Sequence, residues 1–428
     1  MEFELRKITA EENDSFVNGH KKEHFMQLSS WGEVKSGGDW EYELLGLFKD
    51  GVLSGTAMLL RREIPVISGY LYYAPRGFVV DYDNEELLSA FTEKIKEYLK
   101  NKRAVYLLID PDYYFRVLDK YENEIKAPDG FVEKMESLGF KHRGFTKGFD
   151  GSQPRCTFRL SLKGTKDEVF GSFDRFCKKA IRQSEENCIE VFPSDDFETF
   201  EEIMKETALR DGFIENRMDY YKRVYNILKP RGLCELLMSK YNPEKHLSSL
   251  KGQIETAEKD LELARVRLSE KPTAKAETAV KQSEEKLARL TKLKEEAEKN
   301  RELYPEGIVL SVGINMNSKN RGWTIFGGSR DLLRGMNANY AITYAAIERF
   351  REAGMEFMDF FGTIPDPKED DPLYGIHRFK SKFSGDYIEF PGEFHLVFDK
   401  VRYFIWIKLY PTLFKTLKKV LRKIKEVR

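Results

Sequence analysis

Only four of the 428 residues are cysteine (Cys156, Cys177, Cys188 and Cys234), and no two stand in a CxxC spacing. Paired-cysteine zinc and dithiol redox sites are thereby excluded, and the thiols read as reduced, buried small hydrophobes. Net charge is missing as well: 71 Lys and Arg balance 71 Asp and Glu. No global field draws the protein to nucleic acid or membrane, so any such affinity must be local. No stretch reaches the roughly 18 apolar residues of a spanning helix, and the start MEFELRKITAEEN lacks a basic segment followed by an apolar run. A cytoplasmic location is expected. A P-loop, a GxGxxG after a strand, HExxH and GxSxG are all absent, which removes nucleotide hydrolysis, dinucleotide redox and the familiar hydrolase chemistries. The six histidines form no triad or ligand set. His20 and His24 can share a helix face, but a metal site needs more ligands, so neither metal nor cofactor is expected.

What is present is a repeated order of elements. From Tyr42 to Val80, two strand-like runs flank Lys49-Asp50-Gly51 and a further strand follows. Leu88, Phe91, Ile95 and Leu99 then predict a helix over 85–100, and AVYLLID a strand ending at Asp110-Pro111. The order returns late in the chain as IVLSVGINM, WTIFGG, a helix from 338 to 353 and MEFMDFFG. The predicted fold is α/β (α+β): two acyltransferase-like (GNAT-like) mixed-sheet units side by side with a cleft between. The first unit is set at 1–154, joined by the C-terminal segment 393–428, and the second at 155–392.

Residues 244–304 change to Ala, Glu, Lys, Leu and Arg. Leu247, Leu250, Ile254, Ala257, Leu261, Ala264 and Leu268 alternate three and four apart, Glu270-Lys271-Pro272 breaks the helix, and a second seam follows through Ala276, Val280, Leu287, Leu290 and Ala297. This predicts an antiparallel coiled-coil arm inserted in the second unit. The last 28 residues carry nine Lys or Arg against one Glu, with an apolar stripe through Leu413, Leu417, Val420, Leu421 and Ile424. An amphipathic basic helix of this kind suits a peripheral membrane contact through 401–428. The stripe suits packing on the first unit equally.

Acetyl-CoA enzymes of this architecture cradle a pyrophosphate with a Q/R-x-x-G-x-G/A turn at a helix N-terminus. The nearest stretch, RGMNA from Arg334, lacks the second Gly. A donor other than acyl-CoA is therefore favoured.

Several stretches carry a family resemblance: FMQLSSWGEVK, LLIDPDYYF, LRDGFIENRMDYY, WTIFGGS, GMEFMDFFG and DPLYGIHRFKSKFSGDYIEFPGEF. In their order and with the inserted arm, the chain resembles the FemABX family, above all its arm-bearing FemA- and MurM-like members, over nearly its whole length. The resemblance implies an aminoacyltransferase that moves an amino acid from aminoacyl-tRNA to the stem-peptide or branch amine of a lipid-linked peptidoglycan precursor (lipid II or UDP-MurNAc-pentapeptide). Such aminolysis needs a neutral amine held in line with the ester carbonyl and a cation where the oxyanion forms.

By the resemblance, Lys380 in HRFKSKF lies near the reacting acyl group, with Phe379 before it; from the residues alone, Arg378, Lys380 and Lys382 read as a solvated basic strand edge. Lys35, Arg217 and Tyr221 match positions that hold the acceptor, where a Lys point charge and an Arg fork suit phosphate oxygens. The four-residue spacing of Arg217 and Tyr221 puts both on one helix face; the plain alternative makes Arg217 a surface ion-pair partner and Tyr221 core. Phe326 stands where the family is expected to have a tyrosine, so a hydroxyl contact is lost there. Asp110, at a strand end, can orient or deprotonate the acceptor amine or simply cap an Asp-Pro turn. Arg175, Lys178, Lys179 and Arg182 form a basic stripe at helical spacing, a candidate tRNA contact or a solvated face. Two other functions stay open: an acyl-CoA-dependent N-acyltransferase, and a non-catalytic tRNA-binding protein.

Overall fold

The computed structural model describes residues 2–411. In chain order its strands are β1 (Phe3–Lys7), β2 (Glu41–Lys49), β3 (Val52–Glu63), β4 (Tyr70–Ala74), β5 (Ala104–Ile109), β6 (Arg116–Leu118), β7 (Glu124–Lys126), β8 (Phe140–His142), β9 (Cys156–Ser161), β10 (Ile189–Pro193), β11 (Cys234–Tyr241), β12 (Ile308–Asn317), β13 (Arg321–Ser329), β14 (Phe357–Asp359), β15 (Asp386–Glu389) and β16 (Phe394–Val397). They make a 7-stranded sheet, β1-β2-β3-β4-β5-β16-β8, and a 9-stranded sheet, β10-β11-β12-β13-β14-β9-β15-β6-β7.

The two sheets share one plan. Each opens with an antiparallel meander and closes with a parallel pair, β4 beside β5 and β13 beside β14. A parallel neighbour needs a crossover, and the helices Glu85–Leu99 and Ala338–Glu352 supply it. The strand beyond each parallel pair is antiparallel in both sheets, β16 in one and β9 in the other. Thus the strand completing the first sheet arrives from residues 394–397, after the whole second sheet has been laid down. The 116–126 hairpin, left within the first unit on sequence grounds, extends the second sheet through β15 instead. Local chemistry sets the first turn: Asp50 and Gly51 both have positive φ, the two-residue geometry that matches hairpin twist.

Each sheet buries one face under its own helices. Leu88, Phe91, Ile95 and Leu99 pack on Leu45, Leu59 and Leu107 in the first, and Cys177, Ile181, Ile342 and Ile347 pack on Phe158, Leu237 and Met358 in the second. The other faces meet in a common core in which Leu44, Met58 and Leu60 join Phe200, Tyr221, Ile314 and Trp323. The cysteines are unpaired.

The arm is the helix pair Pro243–Glu270 and Ala274–Leu303. Asn242 and Thr273 cap the helices with side-chain acceptors, and Leu247, Leu250, Ala257, Leu290 and Ala297 form a core of their own. After β16, Tyr403 docks on the first unit, its hydroxyl 2.9 Å from His395 Nδ1. Residues 412–428, which carry most of the expected amphipathic basic helix and all of its apolar stripe, lie outside the described residues. Among the described residues no helix is long and apolar enough to cross a membrane.

Candidate active site

Lys380 sits in the helix Tyr374–Ser381, not on a strand edge as the residue run alone suggests. Its Nζ donates to the carbonyl of Phe361 and, at 2.6 Å, to that of Gly362. Both carbonyl-bearing residues have positive φ, 48° at Phe361 and 71° at Gly362. Gly tolerates that region; Phe does not, so the turn after β14 is a strained left-handed pair held by its surroundings. Asp359 does the holding: its Oδ1 accepts the Phe361 N–H at 2.8 Å and the Thr157 hydroxyl at 2.5 Å. Burial pulls the Lys380 ammonium down to about 8, partly opposed by Asp359. Phe379, the preceding residue, turns to Tyr340 with ring centroids 4.9 Å apart.

Asp359 belongs to a buried ionic cluster that sequence reasoning did not single out. Arg159 Nε donates to Asp359 at 2.7 Å and its Nη2 to Asp112 at 3.0 Å, while Arg321 reaches Asp112 at 2.9 Å. Asp112 comes from the loop after β5, Arg159 from β9 and Arg321 from β13, so the cluster bolts the first unit to the second. Burial alone would raise the Asp112 carboxyl, but the two guanidiniums outweigh it and hold the group well below the carboxylate range. A signal existed in the sequence: Arg159 and Asp359 each interrupt an apolar strand run, where an unpaired charge would be prohibitive.

The expected acceptor residues gather on a second wall. Lys35, in the helix Ser29–Ser36 of the first unit, lies 5.7 Å from the Trp31 ring and 5.1 Å from the Tyr220 ring of the second. Burial, with Arg223 and Arg62 nearby, lowers its pKa. Tyr221 is buried and meets Phe326 edge-on at 5.0 Å. Its hydroxyl accepts the Asn216 N–H at 3.3 Å, so the polar tip in this cluster is that of Tyr221 in place of one at Phe326.

One expectation needs correcting. Arg217 does not share a helix face with Tyr221, because it is the residue before the helix Met218–Leu228, with extended backbone. Its side chain is 89% exposed and pairs with Asp219 at 3.2 Å. Arg217 and Tyr221 nevertheless line one groove of about 340 Å³ with Met204 and Asn216.

The Asp110 carboxylate accepts from the Tyr73 hydroxyl at 2.7 Å and from the Arg76 N–H at 2.6 Å, and it lines a small cavity of about 20 Å³. Burial raises it to about 7 against the pull of Arg76.

The basic stripe is a real helix face. In the helix Arg175–Glu186, Arg175, Lys179 and Arg182 are exposed opposite buried Cys177, Ala180 and Ile181, while Lys178 is half-buried and donates to the Gly171 carbonyl at 2.9 Å. His20 and His24 flank different short elements, one ending the helix Ala10–Gly19 and the other capping the turn Phe25–Gln27.

Against this geometry the likenesses to known proteins can be set. Residues 8–410 match the FemAB family. Over 427 residues the chain is 32% identical to the lipid II:glycine glycyltransferase of Staphylococcus aureus strain USA300, covering 98% of each chain. The corresponding protein of strain MSSA476 matches to the same identity and extent. A crystal structure of FemX superposes with a TM-score of 0.78 at 30% identity, covering 94% of this chain and 98% of that one.

Proposed function

The chain belongs to the FemAB family, and from that premise we propose that it is an aminoacyltransferase of peptidoglycan cross-bridge synthesis. In this reading it moves an amino acid from aminoacyl-tRNA to an amine on the stem peptide or branch of a lipid-linked precursor. The relative's name as a lipid II:glycine glycyltransferase supports lipid II as the acceptor class.

The observation that carries the reading is the seating of Lys380. Two backbone carbonyls hold its ammonium in a half-buried turn, where a positive charge acts strongly on a developing oxyanion. The ester of the donor is already activated, so positioning and this charge suffice; the acceptor amine must arrive neutral. Lys35 and exposed Arg217 supply cations for the acceptor's diphosphate, and the groove beside Tyr221 takes the sugar-peptide. Against an acyl-CoA donor stands the turn Arg334–Met336, which precedes the crossover helix without the second Gly of a pyrophosphate cradle.

A peripheral seat on the inner face of the plasma membrane fits a lipid-linked acceptor. In the terminal helical segment Tyr403 is buried, and Trp406 and Ile407 pack on the common core. Val401, Phe404, Ile405 and Leu409 stay exposed, an apolar stripe leading into the basic tail. The test incubates the protein with lipid II and a mixture of charged tRNAs and identifies the product by mass. A lipid II product heavier by one amino acid residue is expected, and turnover with acyl-CoA but not charged tRNA would overturn the reading.

A further inference from the structure

We propose that Phe176 and Tyr340 form a stacking platform that receives the unpaired 3′ nucleotides of the donor RNA and leads them to Lys380. The inference rests on the aminoacyl-tRNA reading and adds to it the device that would grip the RNA end.

Phe176 is the second residue of the helix Arg175–Glu186 and is 56% exposed. One exposed ring is ordinary; this one begins a ladder. Its centroid lies 6.0 Å from that of Tyr340, which lies 4.9 Å from Phe379 and 5.8 Å from Phe383. Phe379 is the residue before Lys380. The rings of Phe176, Tyr340 and Phe379 meet edge-on, and their contacts run from solvent through half-buried Tyr340 to the helix that carries Lys380.

The helix carrying Phe176 is fixed to the helix carrying Lys380. The Asp174 N–H donates to the Lys382 carbonyl at 3.0 Å, and Lys382 Nζ returns to the Asp174 carboxylate at 3.5 Å. Cations flank the exposed ring: Arg175 and Lys179 on its own helix and Arg378 on the other are exposed, and no ion pair within the salt-bridge distance engages them among the described residues. Asp174, the nearby acid, is occupied by the Phe176 N–H and Lys382, while Glu185 and Glu186 stand at the far end of the helix.

An exposed aromatic ring between unpaired cations suits single-stranded nucleic acid, whose bases stack while its phosphates take the charges. A membrane would need a broad apolar patch instead of a single ring. An aminoacyl ester sits on the last nucleotide of its RNA, so Tyr340, which touches the Lys380 helix through Phe379, meets the terminal base and Phe176 an earlier one.

The test measures binding of an uncharged RNA minihelix, with and without an unpaired four-nucleotide 3′ tail, to the full-length protein by fluorescence anisotropy. Phe176→Ala is expected to bind the tailed RNA roughly tenfold more weakly, with an unchanged slope of log Kd on log salt. It should bind the blunt RNA as wild type does, and Phe176→Trp should restore tailed binding. Lys179→Gln should instead lower the salt slope by about one, because it removes a phosphate contact. Tailed RNA bound equally by wild type and Phe176→Ala, or tailed and blunt RNA bound equally by wild type, overturns the platform. The donor reading is judged separately, by turnover with charged tRNA: if wild type shows none, that reading falls and takes the platform with it.

Discussion

Arg159 and Asp112 face each other across the two halves of the protein, 3.0 Å apart and almost wholly buried. The same guanidinium holds Asp359 at 2.7 Å, so one side chain neutralises a carboxylate from each half. Removing Asp112 leaves Arg159 and Arg321 facing each other without their shared counter-charge. Asp112→Leu should therefore lose about 3–5 kcal/mol of stability, read from urea unfolding. A loss below about 1 kcal/mol would mean that the cluster contributes little to joining the halves.

Lys380 gives the sharpest kinetic expectation. Lys380→Met should lower kcat/KM by roughly 100-fold, the usual loss of one oxyanion stabiliser, with unfolding behaviour retained. Burial brings the ammonium down to about 8, so its charge, and the rate it supports, should decline as pH rises through that value. The wild-type profile should show this alkaline limb and the Met variant should lack it. An identical limb in both would assign it to another group.

Much of this was legible beforehand. The hairpin around Asp50-Gly51, both crossover helices and the arm's seam announce themselves because periodicity and turn chemistry are local signals. What stayed hidden is non-local. The segment 393–428 is assigned to the first unit from the sequence, but nothing near residues 394–397 says that it enters that sheet as a strand between β5 and β8, since strand order is decided by packing. Arg217 was placed on a helix because spacing cannot say where a helix begins, and Met218 is its first residue. Tyr220, next to a residue that was singled out, went unnoticed, although its ring is the one that meets Lys35.

Lys35 and Arg217 should separate in degree. Lys35 is half-buried against two rings, whereas Arg217 stands in water. Lys35→Ala should raise the acceptor KM roughly tenfold or more with a smaller change in kcat, and Arg217→Ala should do so less. Titration of a diphosphate-bearing acceptor at saturating charged tRNA checks this. An unchanged KM in the Lys35 variant removes it from the acceptor wall.

Asp110 makes a prediction about stability. Its folded pKa, about 7, lies above the unfolded value near 3.9, so the folded state holds its proton more tightly. This contribution is fully present below the unfolded pKa and is lost as pH rises from about 4 through 7. Asp110→Asn cannot ionise, so its stability should fall less than that of the wild type over the same interval. Parallel curves from urea titrations at pH 4.5 and 8 would show that the carboxyl does not change charge there.

The arm can be removed at a point the strands themselves define. Tyr241, the last residue of β11, and Ile308, the first of β12, are paired neighbours, so a short Gly/Ser turn between them closes a hairpin where the 243–303 helices now leave the sheet. The loss at the base is small: a contact of 3.0 Å between Tyr241 and His246, a hydrogen bond between Tyr241 and Asn300, and an ion pair of Lys245 with Glu190. Because Leu250, Ala257, Leu290 and Ala297 bury one another and not the sheets, the excised protein should fold and keep its catalytic units. The arm's cations are partly consumed within it, since Arg265 pairs with Glu284 at 2.8 Å and Lys286 with Asp260 at 3.1 Å across the two helices. Leu263 and Val266, one turn apart, stand 56% and 42% exposed on the first helix. Weak phosphate contact beside exposed aliphatic groups favours docking to a protein partner or a second copy over RNA binding. The excised variant should keep its KM for charged tRNA within about threefold and its salt dependence unchanged, while its sedimentation behaviour shifts. A rise beyond roughly tenfold with a shallower salt slope would instead make the arm an RNA contact.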